Sequence, residues 1–153
     1  MKLVIQRVRE ACVTTEGEVL GRIGQGFLIL IGVMEGDTPD LCEYLAAKTA
    51  DLRVFTDEQD KLNLSLKDIG GEALVVSNFT LGGDCRKGHR PSFIRSAKPP
   101  LADGLYELYM EKLRGHGIHV ESGRFGAHMD ISMTANGPVT ILMDTDQMKK
   151  GAN

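Results

Sequence analysis

Residues 72–81 read Glu-Ala-Leu-Val-Val-Ser-Asn-Phe-Thr-Leu. Their apolar, β-branched part, Leu74 to Val76, predicts a buried strand. That strand ends in Ser77 to Thr80, where three small hydrogen-bonding side chains surround a phenylalanine. Polar groups at the end of a buried strand are typical of a binding or reaction site in an α/β protein. An ordinary strand end, whose side chains bond their own backbone, produces the same pattern.

A basic segment follows, from Cys85 to Pro100. It contains five Lys or Arg residues and no Asp or Glu, in a chain whose net charge is −3. Gly88 and three prolines within the segment predict a loop rather than a helix or a strand. A basic loop near a polar strand end favours a polyanionic ligand, with phosphates the obvious candidate. A solvated surface loop would have the same composition.

Composition limits the class of protein. The chain has 153 residues, of which 42% are hydrophobic and 25% are charged, and this predicts one globular, soluble domain spanning residues 1–153. No apolar run reaches the ~18 residues that a membrane helix needs, and the N-terminus turns polar too early for a secretory signal. The three cysteines are widely separated and odd in number, which predicts reduced thiols in a cytoplasmic protein.

Periodicity predicts a mixed α/β (α+β) fold, with largely antiparallel sheets and two main helices. The first helix begins near Asp37–Pro39, where a capping side chain precedes a proline, and ends near Arg53. The second helix follows Pro99–Pro100 and ends at Gly115. Strands are predicted at residues 3–8, 18–23, 27–33, 54–55, 74–77, 118–122, 128–134 and 139–143.

One charged residue interrupts an apolar row of the first strand. Arg7 shares a strand face with Leu3 and Ile5 because side chains alternate with a period of two. Its guanidinium either reaches water at the strand end or bonds an acceptor near the core. Taken alone, the pattern favours the first alternative.

The last two predicted strands are separated by residues 135–138, Ala-Asn-Gly-Pro. The Asn-Gly pair predicts a hairpin turn between two strands. The proline that follows directly is unusual in a tight hairpin and indicates a second possibility, a rigid backbone corner that presents carbonyl groups at a fixed angle.

No strong catalytic machinery is evident from the residues themselves. His116 and His119 lie three apart around a glycine, without Cys or carboxylate ligands nearby, so no metal and no cofactor are predicted. No glycine-rich phosphate loop is present. A cysteine hydrolase at Cys85 would need a positioned histidine, for which His89 is the local candidate. The hydroxyls of residues 77–80 likewise lack an evident histidine–carboxylate pair.

Two separated segments resemble the signature motifs of the D-aminoacyl-tRNA deacylases. They are Ser77-Asn78-Phe79-Thr80-Leu81 and Asn136-Gly137-Pro138-Val139-Thr140. The likeness extends over nearly the whole chain and includes Gln6-Arg7-Val8, Arg86-Lys87-Gly88 and Arg90-Pro91-Ser92-Phe93. Two motifs in order, with such flanks, are far more specific than either motif alone.

The resemblance implies an enzyme that hydrolyses the ester joining a D-amino acid to the 3′ end of tRNA. Glycine, including glycine mischarged on tRNA-Ala, is an expected second substrate. The family acts as a homodimer without a cofactor, and the residues that the likeness assigns to catalysis are Ser77, Asn78, Phe79 and Thr80. A non-catalytic tRNA-binding module is the alternative, because the chain offers a basic loop and no acid–base pair.

Chiral selection is implied at the second motif. In the family the Gly137–Pro138 bond is cis, and the corner of one subunit completes the site of the other. Its carbonyls bind the substrate's amino group, and an L side chain would collide with the main chain. Arg7 would bond the Gly-Pro backbone and hold it in place.

Cleavage itself can rest on the substrate. An aminoacyl ester is activated, and the neighbouring ribose hydroxyl can assist, so that the enzyme supplies position and an oxyanion donor such as the N–H of Phe79 or Thr80. We rank a Thr80 nucleophile below this RNA-assisted route. The family usually has Gln where this chain has Asn78, whose amide lies one methylene closer to the backbone.

Substrate binding is assigned by the likeness to Phe125 and Met129, which match positions lining the terminal-adenosine pocket. Core packing is the alternative role for both side chains. Arg86 and Lys87, in the basic segment, are expected to contact the tRNA.

Overall fold

The computed structural model describes residues 1–148. Its strands are β1 (Lys2–Thr15), β2 (Glu18–Ile23), β3 (Gly26–Gly32), β4 (Phe55–Thr56), β5 (Leu62–Leu64), β6 (Glu72–Ser77), β7 (His119–Ser122) and β8 (Asp130–Asp144). Its helices are α1 (Pro39–Asp51), α2 (Leu66–Ile69), α3 (Leu101–Gly115) and α4 (Thr145–Met148), with a 3₁₀ turn at Phe79–Gly82. The predicted domain runs to residue 153, and its last five residues lie outside the described part.

One six-stranded sheet organises the chain. Strand β8 pairs with one edge of β1, while β3 and then β2 pair with the other edge, all antiparallel. Strands β6 and β7 extend the sheet beyond β3 in parallel pairings. The predicted mixed α/β fold is confirmed, and antiparallel pairings predominate around β1.

The core lies on both faces of this sheet. On one face α1 and α3 pack against each other and cover side chains such as Phe27 and Val75. The polar tips of two buried tyrosines on α3 are satisfied there, because the Tyr109 hydroxyl lies 2.9 Å from Thr49 Oγ1 and the Tyr106 hydroxyl donates to the Val75 carbonyl at 3.2 Å. Burial raises the pKa of Tyr106 to about 12, so this phenol stays neutral.

The predicted hairpin near the C-terminus is wrong. Residues 130–144 form one continuous strand, β8, because almost the whole of it pairs with the equally long β1. Between the pairs Gln6↔Thr140 and Val8↔Ala135, four residues of β8 face Arg7 alone. The Asn-Gly-Pro sequence is therefore absorbed as a bulge, since a proline has no N–H to give to the ladder.

Other local predictions also changed. Strand β1 continues to Thr15, well beyond the predicted end at Val8, because its second half pairs with both β2 and β8. The short elements α2, α4, β5 and the 3₁₀ turn were not predicted. Among residues 1–148, no helix is long and apolar enough to cross a membrane.

A buried ion pair closes the start of β1 onto the start of α1. The Met1 ammonium lies 2.8 Å from Asp37 Oδ1 and donates to Thr145 Oγ1 at 2.8 Å. The Met1 side chain is completely shielded from solvent. The other oxygen of Asp37 accepts the Met34 N–H at 2.7 Å. Asp37 therefore binds the amino terminus instead of capping α1, and Thr38, the N-cap residue before Pro39, makes no side-chain capping bond, contrary to the predicted capping role.

Replacing Asp37 tests the energetic weight of this ion pair. We expect Asp37→Asn to lower the free energy of unfolding by about 3 kcal/mol, because a buried ammonium is left without its counter-charge. Urea unfolding monitored by circular dichroism measures the change. Asp51→Asn is the matched control, since Asp51 pairs with Lys67 at an exposed site and should cost less than about 1 kcal/mol. Equal losses from the two variants would contradict the prediction.

Candidate active site at the end of strand β6

A cavity of about 610 Å³ opens where β6 ends. Its lining residues come from three segments, 77–79, 93–99 and 125–129, and they are Ser77, Asn78, Phe79, Phe93, Ser96, Ala97, Lys98, Pro99, Phe125, Gly126, Ala127, His128 and Met129. The cavity therefore unites Ser77, Asn78 and Phe79 with Phe125 and Met129, as the resemblance implied. The sequence analysis did not predict that residues 93–99 line the site. The one feature that could have indicated it is that these residues belong to the basic segment.

The turn after Ser77 is shaped by the Asn78 side chain. Its Oδ1 accepts the Thr80 N–H at 3.2 Å and also the hydroxyl proton of Thr80. The Leu81 N–H bonds the Asn78 carbonyl at 3.3 Å, which closes the 3₁₀ turn. Within the described residues the Phe79 N–H bonds no acceptor. Thr80 does not line the cavity.

Ser96 fixes the same turn from outside. Its hydroxyl, on a buried side chain, donates to the Phe79 carbonyl at 2.7 Å. The approach is close, because a Cβ added at Gly82 would lie 2.2 Å from Ser96 Oγ. The peptide between Phe79 and Thr80 is thus held at both ends, its carbonyl by Ser96 and its N–H by Asn78.

Phe125 and Met129 combine cavity lining with packing. The Phe125 ring lies 6.0 Å from that of Tyr106, tilted by 45°. Met129 Sδ accepts the Arg124 N–H at 3.4 Å and sits where a Cβ on Gly123 would approach to 2.5 Å. Both side chains are partly buried against the core, so both pack against the core as well as line the cavity, and binding of the terminal adenosine stays a prediction.

Arg7 bonds acceptors near the core. Its side chain is only 8% exposed, so the expectation that the guanidinium reaches water is wrong. Its Nε donates to the Asn136 carbonyl at 2.7 Å, and its Nη1 donates to the Val54 carbonyl at 2.8 Å. Arg7 therefore holds the β8 bulge from the residue that precedes Gly137.

The bulge itself does not contribute to the cavity of its own chain. The Gly137–Pro138 peptide bond is cis, and both residues are exposed. Neither of them, nor Arg7, is among the residues that line the cavity at the end of β6. Within one chain, the two motifs lie in separate places.

Arg86 is engaged within its own loop. Its guanidinium makes an ion pair with Asp84 at 2.6 Å, and its N–H bonds the same carboxylate at 3.0 Å. These bonds lower the pKa of Asp84 to about 2, so the pair persists across ordinary pH. Lys87 is exposed and has no ion pair among residues 1–148. Neither basic residue lines the cavity.

Thiol and metal chemistry find no support at this site. Cys85 is exposed and lies outside the cavity lining, and the pKa of buried Cys42 is raised to about 11, chiefly by burial. All three cysteines are free thiols, as predicted. Across residues 1–148, no three His, Cys, Asp or Glu side chains lie close enough to hold a metal ion.

Comparison with known proteins identifies relatives along nearly the full chain. The family model described as D-Tyr-tRNA(Tyr) deacylase matches residues 4–144. A protein from Thermus aquaticus named D-aminoacyl-tRNA deacylase is 54% identical over 147 residues, which cover 96% of this chain and 97% of that protein. One of the same name from Bacillus pumilus (strain SAFR-032) is 53% identical, with 96% and 100% covered.

Solved structures show the same fold. One described as c-Myc DNA Unwinding Element Binding Protein superimposes with a TM-score of 0.87 at 38% identity, covering 94% of this chain and 98% of the other. One described as a probable eukaryotic D-amino acid tRNA deacylase gives a TM-score of 0.80 at 17% identity, with 93% and 97% covered, which is a likeness of fold. Taken with the family model and the curated relatives, these matches mean that the chain belongs to the D-Tyr-tRNA(Tyr) deacylase family.

Proposed function

We propose that this protein hydrolyses the ester bond of D-aminoacyl-tRNA and releases the free D-amino acid and tRNA. The observation that carries the proposal is the cavity at the end of β6, in which residues of the first motif meet Phe125 and Met129. The proteins named D-aminoacyl-tRNA deacylase, with which this chain shares more than half of its aligned residues, support the same activity. Its substrate would be met in the cytoplasm, where tRNA is charged.

The composition of the cavity agrees with an RNA-assisted reaction. Its described lining contains one histidine, His128, and no Asp or Glu, so it holds no histidine–carboxylate pair to activate a nucleophile. The vicinal ribose hydroxyl of the substrate would instead assist cleavage of the activated ester. The protein then supplies position and a donor for the oxyanion, effects that mutagenesis elsewhere puts at about 3–4 kcal/mol for one donor.

Of the two backbone donors considered, the Phe79 N–H fits this role. The Thr80 N–H is already bonded to Asn78 Oδ1, whereas the Phe79 N–H bonds nothing among the described residues and belongs to a residue that lines the cavity. A donor held in place before the reaction needs no reorganisation as charge develops. We therefore assign oxyanion stabilisation to Phe79.

Chiral selection would come from a second copy of the chain. The bulge at Gly137–Pro138 is exposed and tied down by Arg7, and we propose that it enters the cavity of a partner in a homodimer. Exposed apolar side chains on the same strand, among them Leu142 at 74% exposure, support burial of β8 between subunits. Backbone carbonyls there would bind the ammonium group, and rejecting an L residue ~1000-fold requires about 4 kcal/mol.

Glycyl-tRNA, including glycine mischarged on tRNA-Ala, is a second substrate under this proposal. Glycine has no side chain to collide with the bulge, so a device that excludes L side chains cannot exclude it. Asn78 bonds its own turn, and we infer that replacing the family's usual Gln by Asn leaves this discrimination unaltered.

A non-catalytic tRNA-binding module is the second candidate. It is favoured by the basic segment, which contains no Asp or Glu from residue 85 to residue 100, and by the missing histidine–carboxylate pair. It predicts salt-sensitive tRNA binding without turnover, so a turnover assay separates the two candidates.

Incubation with D-Tyr-tRNA and L-Tyr-tRNA tests the proposed activity. We expect release of D-tyrosine and, at equal enzyme concentration, at least ~1000-fold slower release of L-tyrosine, which corresponds to about 4 kcal/mol of discrimination. Acid-precipitable radiolabel measures both rates. Failure to release D-tyrosine, or release of both at one rate, would refute the proposal.

Arg7→Lys tests whether the bulge carries the selectivity. Lysine keeps the charge but cannot bond the Asn136 and Val54 carbonyls in the same fork. We expect the ratio of kcat/KM for D-Tyr-tRNA to that for L-Tyr-tRNA to fall at least about tenfold, or about 1.4 kcal/mol. Partial unfolding would lower both rates together, and an unchanged ratio would argue against the role of Arg7.

Thr80→Ala distinguishes the RNA-assisted route from a covalent one. The Thr80 hydroxyl is exposed and bonds Asn78, and we expect its removal to lower kcat less than about fivefold, or about 1 kcal/mol. Single-turnover deacylation of D-Tyr-tRNA provides the rate.

Cys85→Ser, at an exposed thiol outside the cavity, should also leave kcat nearly unchanged. A loss of ~1000-fold from either variant would point to that side chain as the nucleophile.

A further inference from the structure

The loop between Asp84 and Ser92 is a closed finger with pinned ends. Asp84 and Ser92 exchange two backbone hydrogen bonds, of 2.8 Å and 2.9 Å. We call the enclosed residues Cys85–Pro91 the basic finger, because they contain Arg86, Lys87 and Arg90. The two bonds give a loop of exposed polar residues a defined starting point.

The segment after the finger joins it to the candidate active site. The Ala97 N–H bonds the Val33 carbonyl at 2.9 Å, and the Glu35 N–H bonds the Arg95 carbonyl at 2.8 Å. Ser96 then bonds the Phe79 carbonyl at 2.7 Å. The segment that follows the finger, residues 95–97, is therefore fixed both to the chain just after β3 and to the turn that carries the proposed oxyanion donor.

Two of the basic residues in this region are neutralised and three are not. Arg86 pairs with Asp84 at 2.6 Å, and Arg95 pairs with Asp146 at 3.0 Å. Within residues 1–148, Lys87, Arg90 and Lys98 are exposed and make no ion pair. Three unpaired cations remain on a chain whose net charge is −3, so the local field favours an anion.

Exposed apolar side chains occur at the cavity and in the segment that contains these cations. Phe79 is 57% exposed and Ile94 is 87% exposed. Phe93, which directly precedes Ile94 in the sequence, contacts the Phe79 ring edge-on, with ring centroids 5.1 Å apart and ring planes at 77°. Lys98 lines the cavity itself. Cations interleaved with apolar and aromatic side chains are the surface that single-stranded nucleic acid prefers, because phosphates and unstacked bases are both accommodated.

The proposed reaction supplies the occupant. The scissile ester sits on the last nucleotide of tRNA, and when that nucleotide occupies the cavity the preceding ones must leave across its rim. We propose that the basic finger, together with Ile94 and Lys98, binds the single-stranded nucleotides that precede the aminoacylated 3′ end. The inference rests on the proposed deacylase function and concerns the RNA part of the substrate, not the ester.

A pair of substrates separates this surface from the cavity. D-Tyr-tRNA contains the preceding nucleotides, whereas the D-tyrosyl ester of adenosine lacks them, and neither Arg90 nor Ile94 lines the cavity. For Arg90→Ala/Ile94→Ser we expect a rise in KM for D-Tyr-tRNA of at least about tenfold with kcat unchanged. For the adenosine ester we expect no change in kcat/KM. Losses that are equal for the two substrates, or no loss for either, would overturn the inference.

Binding of uncharged tRNA provides a readout that does not depend on hydrolysis. Each phosphate contact to a single strand contributes about 0.7 to the slope of log affinity against log salt concentration, so Lys87→Ala/Arg90→Ala/Lys98→Ala should reduce that slope by about 2. Lys48→Ala is the matched control, because Lys48 is an exposed lysine on α1 that lines a different cavity. An unaltered slope in the triple variant refutes the surface, whereas a wild-type protein that cleaves neither ester refutes the deacylase function alone.

Discussion

The bonds from Arg7 to two backbone carbonyls are the constraint on which the arrangement of the second motif depends. A guanidinium that is 8% exposed needs acceptors, because burial of an unsatisfied charge is very costly. Arg7 finds them in Asn136, from the bulge in β8, and Val54, just before β4. The strand that provides Arg7, β1, also pairs with three other strands. Through Arg7 the bulge is therefore bonded to the most extensively paired strand of the sheet.

The first motif is organised by the same means in a different place. Asn78 and Ser96 hold the peptide between Phe79 and Thr80 at its N–H and at its carbonyl. Side chains here fix the backbone of the turn, and under the proposed function the Phe79 N–H is the backbone group left to meet the substrate. A turn that is fixed in this way would hold that donor in place before the reaction, so that no reorganisation is needed as charge develops.

Local features of this fold could be predicted from the sequence, and long-range ones could not. The apolar run before Ser77 and the periodicity between Leu101 and Gly115 determined β6 and α3 because propensity and burial agree there. The Asn-Gly pair predicted a hairpin, but pairing with β1 along nearly its full length outweighed that local preference. Whether the Arg7 guanidinium is buried or solvated depends on a carbonyl 129 residues away in the sequence. No periodicity or propensity contains that information.

The candidate site shows the same division between local and distant information. Asn78 bonding its own turn is a short-range pattern that small polar residues commonly adopt, and it was foreseen as an alternative. The contact between Ser96 and the Phe79 carbonyl, and the close approach of the same hydroxyl to Gly82, join two loops across the end of the sheet. The prediction that Phe125 and Met129 line the candidate site came from resemblance alone, since their half-buried apolar character fits a core equally well.

Under the proposed function, the separation of the two motifs within one chain makes a second copy necessary. The cavity holds the groups proposed to act on the ester, while the bulge that would sense handedness is exposed elsewhere on the molecule and lines no part of it. A single chain could then position an ester but could not compare the two faces of its α-carbon. Under the proposed function, selectivity becomes a property of the assembly, so that a subunit which folds correctly and stays alone would lack the group that rejects L residues. The same proposal gives Arg7 its importance, because the bulge would have to keep its shape on one subunit in order to act in the cavity of another.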